Sequence, residues 1–293
     1  MTQHKPSKLR DFWILTKPRV CALAVFCAII GMLLARPVLP SSSLIVSASL
    51  GIWLLAAGSF AFNCVLEAKY DSKMKRTQHR ATALGQLSVG SVVLFGLGLV
   101  LAGSLVLGCF VNLITLYLTL ATFIGYAFIY TLLLKPYTPQ NIVIGGASGA
   151  MPPALGWAAV TQTVGAEAWL LVLIIFLWTP PHFWALALYR KQDYIESGLP
   201  MLPITHGDNV TRLHIWLYSL GLFAAGLLPF ILSMSSFIYL FGAVVLGAWY
   251  CHDCYGLWKH YSPERARRSF KNSIVYLSSL FACLLVDHFV YNV

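Results

Sequence analysis

Charged positions are missing from long stretches of this chain. No Asp, Glu, Lys or Arg occurs between Arg19 and Arg36, from Pro37 to Leu66, or from Ala81 to Leu134. The same holds from Pro136 to Ala166, Ala168 to Tyr189, Leu213 to His252 and Asn272 to Val286. A helix needs roughly 20 largely apolar residues to cross about 30 Å of hydrocarbon. The 54-residue and 40-residue gaps therefore hold two spans each, folded back at Gly108–Val111 and Ser233–Ser236. The last stretch reaches span length only by running on through Asp287. Nine spans result, near 20–36, 44–66, 86–107, 112–134, 142–160, 168–188, 214–232, 237–256 and 272–290. Backbone polar groups cannot be left open to lipid, so each span is expected to be a helix. The expected fold class is all-α, a polytopic membrane protein with about nine transmembrane helices.

The polar positions between spans set the orientation. With the N-terminus in the cytoplasm, segments 5–19, 69–80, Lys135, 190–212 and 259–271 share one face and carry 19 of the 20 Lys and Arg residues. Only Arg36 falls on the other face. That is the bias of cytoplasmic loops. Residues 1–19 are read as a polar, basic cytoplasmic segment without a cleavage site, and 1–293 as a single membrane-embedded domain. The outer connections are short and nearly chargeless, so chemistry is expected on the cytoplasmic face.

Composition narrows the class. The chain is 58% hydrophobic and 10% charged, against about a quarter charged in ordinary soluble domains. This excludes a soluble globular enzyme, a disordered protein and a free nucleic-acid binder, despite a net charge of +10. The seven cysteines sit mostly in spans and read as small packing residues.

Two polar connections carry candidate chemistry. In the first, Asn63, Glu67 and Asp71 are spaced by four, which places them on one stripe of a helix. An amide and two carboxylates make an oxygen-rich edge of the kind that Mg²⁺ prefers, with waters and phosphates completing its shell. Arg76 and Arg80 follow at the same spacing and suit phosphate oxygens. A solvated juxtamembrane helix with i,i+4 charge pairs is the alternative. In the second connection Lys191, Asp193 and Glu196 share a stretch closed by Gly198 and Pro200. Two carboxylate jaws on one face could hold metal ions across one diphosphate.

Asn63-x3-Glu67-x3-Asp71-x2-Met74-x-Arg76-Thr77-x2-Arg80-x4-Gly85 resembles the signature of the UbiA-type intramembrane prenyltransferases. Three further stretches are similar to the haem-farnesylating branch of that family: Tyr130 through Asn141, Trp178-Thr-Pro-Pro-His182-Phe-Trp, and Tyr189 through Pro203. The likeness runs over roughly residues 10–290. It departs at Ala81-Thr-Ala-Leu, where the family usually carries a Pro-Leu-Pro-like stretch, and at Glu67, where many members have Asp. Neither departure removes a charge.

The resemblance implies a UbiA-like helical bundle in a bacterial cell inner membrane. It implies transfer of farnesyl from farnesyl diphosphate to a vinyl group of protohaem IX, with addition of water to give haem O. It also implies Mg²⁺ as cofactor and membrane lipid, the haem-copper oxidase assembly apparatus or haem A synthase as further partners. Asn63, Glu67, Asp71 and Asp193 would then be catalytic, with Glu67, Asp71, Asp193 and Glu196 toward the metal. Arg76, Arg80, Lys135 and Lys191 would bind the diphosphate, and His182 and His206 the haem.

Other readings stand beside these. Lys135, the only charge between Arg80 and Glu167, also fits a snorkelling anchor. His182 follows Pro180 and Pro181, which should kink its span. If the helix resumes, His182 lies about 16 Å along the axis from Asp193 on one face; it also fits a packing histidine. Cys251-His252-Asp253-Cys254 is an incomplete zinc set and reads as structural. The glycines of Gly145–Gly149 suit close helix packing, and Arg265, Arg267, Arg268 and Lys271 suit contact with anionic lipid. A quinone-type aromatic acceptor such as 4-hydroxybenzoate, a haem carrier or transporter, and an oxidase-assembly subunit are the competing functions.

Overall fold

In the computed structural model, residues 8–75 and 77–291 are described, and every regular element among them is helical. Arg76, expected to bind the diphosphate, lies outside the described residues. α1 (Lys8–Leu15) and α2 (Pro18–Leu34) meet at a bend of 42°. α3 (Ser42–Leu66) and the short α4 (Ala68–Asp71) lead into the first polar connection. α5 (Val89–Phe110) is followed by α6 (Leu113–Ile124), which continues as a π-helical segment over Gly125–Leu134. α7 (Asn141–Ala150), α8 (Pro152–Thr161) and α9 (Ala166–Tyr189) come next. The second connection contains α10 (Lys191–Ser197) and α11 (Leu202–Thr205), and the chain closes with α12 (Gly207–Ile231), α13 (Phe237–Lys259) and α14 (Pro263–Tyr291).

Among the described residues seven unbroken helical stretches are long and apolar enough to cross a membrane, or eight when the bent α1–α2 pair counts as one span. The remaining expected span, 142–160, the fifth in chain order, is two ten-residue helices divided at Met151. Pro152 and Pro153 supply no N–H to the turn before them, which is where an α-helix divides. The span expected at 272–290 begins much earlier, at Pro263, because proline starts a helix readily.

Lipid exposure shows in the outward faces. On α5 only Val92, Gly96, Gly103 and Leu107 are buried, while Leu94, Leu97, Leu101 and Leu105 are exposed along one stripe. The buried side of α5 packs on α3 through small residues: Gly58 meets the Gly96 carbonyl, and Gly103 meets that of Gly51. α2 and α8 approach more closely still. A methyl group on Gly156 would overlap the carbonyl of Ala28, and one on Gly31 that of Pro153. Such contacts between backbones hold membrane helices without any hydrophobic force between them.

α9 is the buried post of the second half, packed against α7, α8, α12 and α14. Both prolines expected to kink it lie inside one continuous helix. Two bonds to Ser273 tie this region to α14: Trp178 Nε1 donates to its carbonyl at 2.7 Å, and His182 Nδ1 lies 2.7 Å from its Oγ. The helix does not resume as one rod to Asp193. It ends at Arg190, which leaves the α-conformation (φ −107, ψ 21), so the expected 11-residue register between His182 and Asp193 does not apply.

Candidate active site

A cavity of about 480 Å³ runs among α2, α3, the π-helical segment, α7 and α9. Its polar end is built where four chain segments reach one face of the bundle. α3 stops at Leu66, yet the i,i+4 ladder carries on: Glu67 N–H donates to Asn63 O at 2.9 Å and Asp71 N–H to Glu67 O at 2.8 Å. The expected stripe of Asn63, Glu67 and Asp71 therefore persists past the helix end, and all three line the cavity.

Each member of that stripe is buried and held by a cation or donor from a different element. Lys17 Nζ donates to Asn63 Oδ1 at 2.6 Å, and Asn63 Nδ2 donates to Thr131 Oγ1 at 3.0 Å. Lys135 Nζ donates to Glu67 Oε1 at 2.5 Å, and Arg80 Nη1 to Asp71 Oδ2 at 2.5 Å. Burial alone would raise the Glu67 pKa. The Lys135 and Lys17 ammoniums outweigh it and hold the carboxyl below its ordinary range. Burial likewise pulls Lys135 down, and Glu67 lifts it above its ordinary value. Both groups are charged at neutral pH.

The loop after Asp71 closes without the Pro-Leu-Pro-like stretch that is usual in the resembled family. Thr77 Oγ1 donates to Asp71 O at 3.1 Å, Leu84 N–H to Arg80 O at 3.0 Å and Gln86 N–H to Ala81 O at 2.9 Å. Gly85 takes the left-handed conformation (φ 67) that ends this series of turns.

Below the polar end the walls are aromatic and apolar. The rings of Tyr126 and Tyr130 stack at 5.4 Å, and Phe60 meets Tyr126 edge-on at 5.4 Å. The π-helical segment explains this placement. Its i→i+5 bonding brings residues about four to five apart onto one side, so Tyr126, Tyr130 and Lys135 all face the cavity. His182 lines it too, with its ring stacked on Trp178 at 4.2 Å.

The second connection reaches the same cavity through Tyr194, Leu199 and Met201. Asp193 is buried beside Tyr194 and is not itself part of the wall. Its Oδ2 has no hydrogen-bond partner, since the nearest cation, Arg190 Nη1, stands 3.8 Å away. Three other expected residues lie off the cavity. Lys191 Nζ donates to Asp208 Oδ1 at 2.8 Å, Glu196 is exposed and accepts from Gln192, and His206 is exposed beside Thr205. Among the described residues no three of His, Cys, Asp or Glu form a metal-holding group, and this includes Cys251–Cys254.

Sequence reasoning gave no role to Lys17 or Tyr126, and named Tyr130 and Thr131 only within a stretch that carries the family resemblance. Lys17 entered only as one of the basic residues of the N-terminal segment. Its signal is local: a lysine directly before Pro18 at the start of an apolar span, here in a left-handed turn (φ 48) with Nζ 5.0 Å from the Phe60 ring centre. The π register leaves no mark in the hydrophobic pattern.

Comparison with known proteins adds ancestry to this geometry. The model of the UbiA prenyltransferase family matches residues 24–280. A protein named protoheme IX farnesyltransferase in Verminephrobacter eiseniae (strain EF01-2) is 60% identical over 97% of this chain and 96% of its own length. Proteins of the same name in Acidovorax sp. (strain JS42) and Burkholderia ambifaria (strain MC40-6) are 59% and 56% identical, over 97% and 99% of this chain and 94% and 96% of theirs. Among solved structures, one of digeranylgeranylglyceryl phosphate synthase superposes with a TM-score of 0.81 at 17% identity, covering 97% of this chain and 99% of that one. A UbiA homolog from Archaeoglobus fulgidus bound to DMAPP and Mg²⁺ gives 0.66 at 14% identity, covering 94% and 99%.

Proposed function

The chain belongs to the UbiA prenyltransferase family, and is thus a multi-pass membrane protein; from that premise we propose that it transfers the farnesyl group of farnesyl diphosphate to a vinyl group of protohaem IX. The observation that carries this reading is the cavity itself. Cations and carboxylates crowd one end, while mostly aromatic and aliphatic side chains, with a few hydroxyls and His182, line the rest. That division matches a donor with a charged head and a long apolar tail. The near full-length identity to proteins named protoheme IX farnesyltransferase supports the choice of acceptor.

On this reading Arg80, Lys135 and Lys17 release their internal partners and take phosphate oxygens. The bond between the first farnesyl carbon and the diphosphate oxygen breaks, and its electron pair leaves with the diphosphate. The stacked Tyr126 and Tyr130 present ring faces to the cationic carbon, which favours positive charge. The vinyl group of the haem supplies the electrons for the new carbon–carbon bond. Water adds to the carbon left electron-poor and loses a proton, giving the hydroxyethylfarnesyl group. Apolar walls keep other water from the first carbon. His182 faces the acceptor from the deeper wall. Lys191, Glu196 and His206 lie outside the wall, so the proposal rests least on them.

The donor set fits Mg²⁺. Glu67 and Asp71 supply two hard oxygens at the cavity, leaving waters and phosphate oxygens to complete the shell, while Asp193 is buried behind the wall and faces Arg190. When bound, the ion neutralises diphosphate charge and makes it a better leaving group. The positive-inside bias supports a cytoplasmic N-terminus in a bacterial cell, with the site toward the inner leaflet. An onward partner would be a haem-copper oxidase assembly factor or haem A synthase.

The test is mass spectrometry of the purified protein given protohaem, farnesyl diphosphate and Mg²⁺. The haem should gain the mass of one farnesyl group and one hydroxyl, and Asp71→Asn or Asp193→Asn should abolish that gain while the protein stays inserted. Normal yield from either variant would overturn the site. Prenylated 4-hydroxybenzoate without a haem product would overturn the acceptor.

A further inference from the structure

A second pocket, of about 400 Å³, opens between α13 and α14 and shares no lining residue with the first. Asp253 stands in its wall with 8% of its surface exposed. Its Oδ1 accepts from Asn272 Nδ2 at 3.0 Å and lies 3.6 Å from Arg268 Nε. Its Oδ2 is buried and has no hydrogen-bond partner. No protein donor meets this buried carboxylate oxygen, which leaves it open to a donor from outside the chain. Arg265 and Arg268 also line the pocket. Arg265 gives one N–H to the Gly256 carbonyl at 2.9 Å, and a guanidinium has five to give.

Depth narrows the ligand. Asp253 sits six residues before the end of α13 at Lys259, about 9 Å along the axis. With a head-group layer of about 5–8 Å on each side, that is the inner edge of the head groups when Lys259 marks the water boundary. Trp249, one turn deeper on the same helix, lines the pocket at the depth of the acyl chains. The occupant must therefore present an N–H cation to Asp253 and an anion to the arginines, a short distance apart, with apolar chains running past Trp249.

We propose that this pocket binds the phosphoethanolamine head of a membrane phospholipid, its primary ammonium on Asp253 Oδ2 and its phosphate on Arg265 and Arg268. A choline head has no N–H to donate, and a glycerol head brings no positive charge. The sequence alone suggested only general attraction to anionic lipid at Arg265–Lys271; the buried carboxylate turns that into selection for a zwitterion.

The full-length protein should be reconstituted in nanodiscs holding ethanolamine, choline and glycerol phospholipids with the same acyl chains. Retained lipid is then counted by native mass spectrometry. The ethanolamine lipid should be retained over the choline lipid by about tenfold or more, the size of one charge-assisted hydrogen bond. Asp253→Asn and the exposed Arg268→Gln should each lower that ratio, and the second keeps the test open if the first fails to fold. Equal retention of ethanolamine and choline lipids, or preference for the glycerol lipid, overturns the proposal. Free O-phosphoethanolamine serves as the soluble arm. Displacement of the lipid by it supports the head-group chemistry with a soluble source as well, whereas failure to displace retained lipid assigns the bilayer as the source.

Discussion

Glu67 shows how much a single buried charge depends on its partners. The carboxylate is buried at the end of α3, and its stability there comes from Lys135 and Lys17. Breaking a buried pair by removing one member commonly costs about 3–5 kcal/mol. Lys135→Met should fall near the low end because Lys17 still faces the carboxylate; the loss can be read from chemical unfolding in mild detergent. The pH dependence has a definite sign. Glu67 is held below the ordinary carboxylate range in the folded chain, so its contribution is fully present above about pH 4.3, the unfolded value. It is lost as pH falls through the lower folded value. The thermal advantage of the native chain over Glu67→Gln should therefore be constant near neutrality and shrink on acidification below about pH 4.3. An advantage that grew with acid would contradict the ion pair. The residues that the sequence displays best are those whose charge interrupts an apolar run, such as Glu67, Asp71 and Lys135. Lys17 escaped because its neighbours are also basic, and Asp193 gave no hint that its Oδ2 would be buried without a partner.

Among the elements, α2 and α8 are joined most closely, with the Ala28 carbonyl against Gly156 and the Pro153 carbonyl against Gly31. Gly156→Ala should destabilise the bundle by about 1–3 kcal/mol, the usual cost of forcing atoms into a filled contact. Gly98→Ala on the outward face of α5, where a methyl meets nothing within 4 Å, should be neutral or gain up to about 1 kcal/mol. Paired melting curves in one detergent distinguish the two; equal melting would remove the special role of the α2–α8 contact. Helix existence was readable from charge gaps because hydrocarbon imposes length and apolarity together. Helix breaks were not. Pro152 and Pro153 divide a span, yet Pro180 and Pro181 lie within one intact helix. Dense packing around α9 holds that geometry, and nothing in the local sequence distinguishes the two proline pairs.

For the whole molecule, the distribution of basic residues sets which face is which, and the structure joins the end of α3, the start of α2 and α10 at one cavity mouth. Cys109, exposed at the far end of α5, then belongs on the opposite face. In intact cells a membrane-impermeant maleimide should label Cys109, while Gln192→Cys should react only after permeabilisation. The reverse pattern would invert the orientation. The bundle class and the first carboxylate stripe were legible because both follow from periodicity and charge. The shape of the cavity was not, since it depends on a π register and on contacts between glycines that no periodicity announces.

At the mouth, Lys17, Arg80 and Lys135 stand against Glu67 and Asp71 among the described lining residues. The resting gate thus leans positive by one charge. On the proposed reaction a lone divalent ion would approach uphill and an anion downhill, which would make the pyrophosphate the lure and its counterion the escort. Raising the salt should slow capture of the donor and leave the interior bond-making untouched.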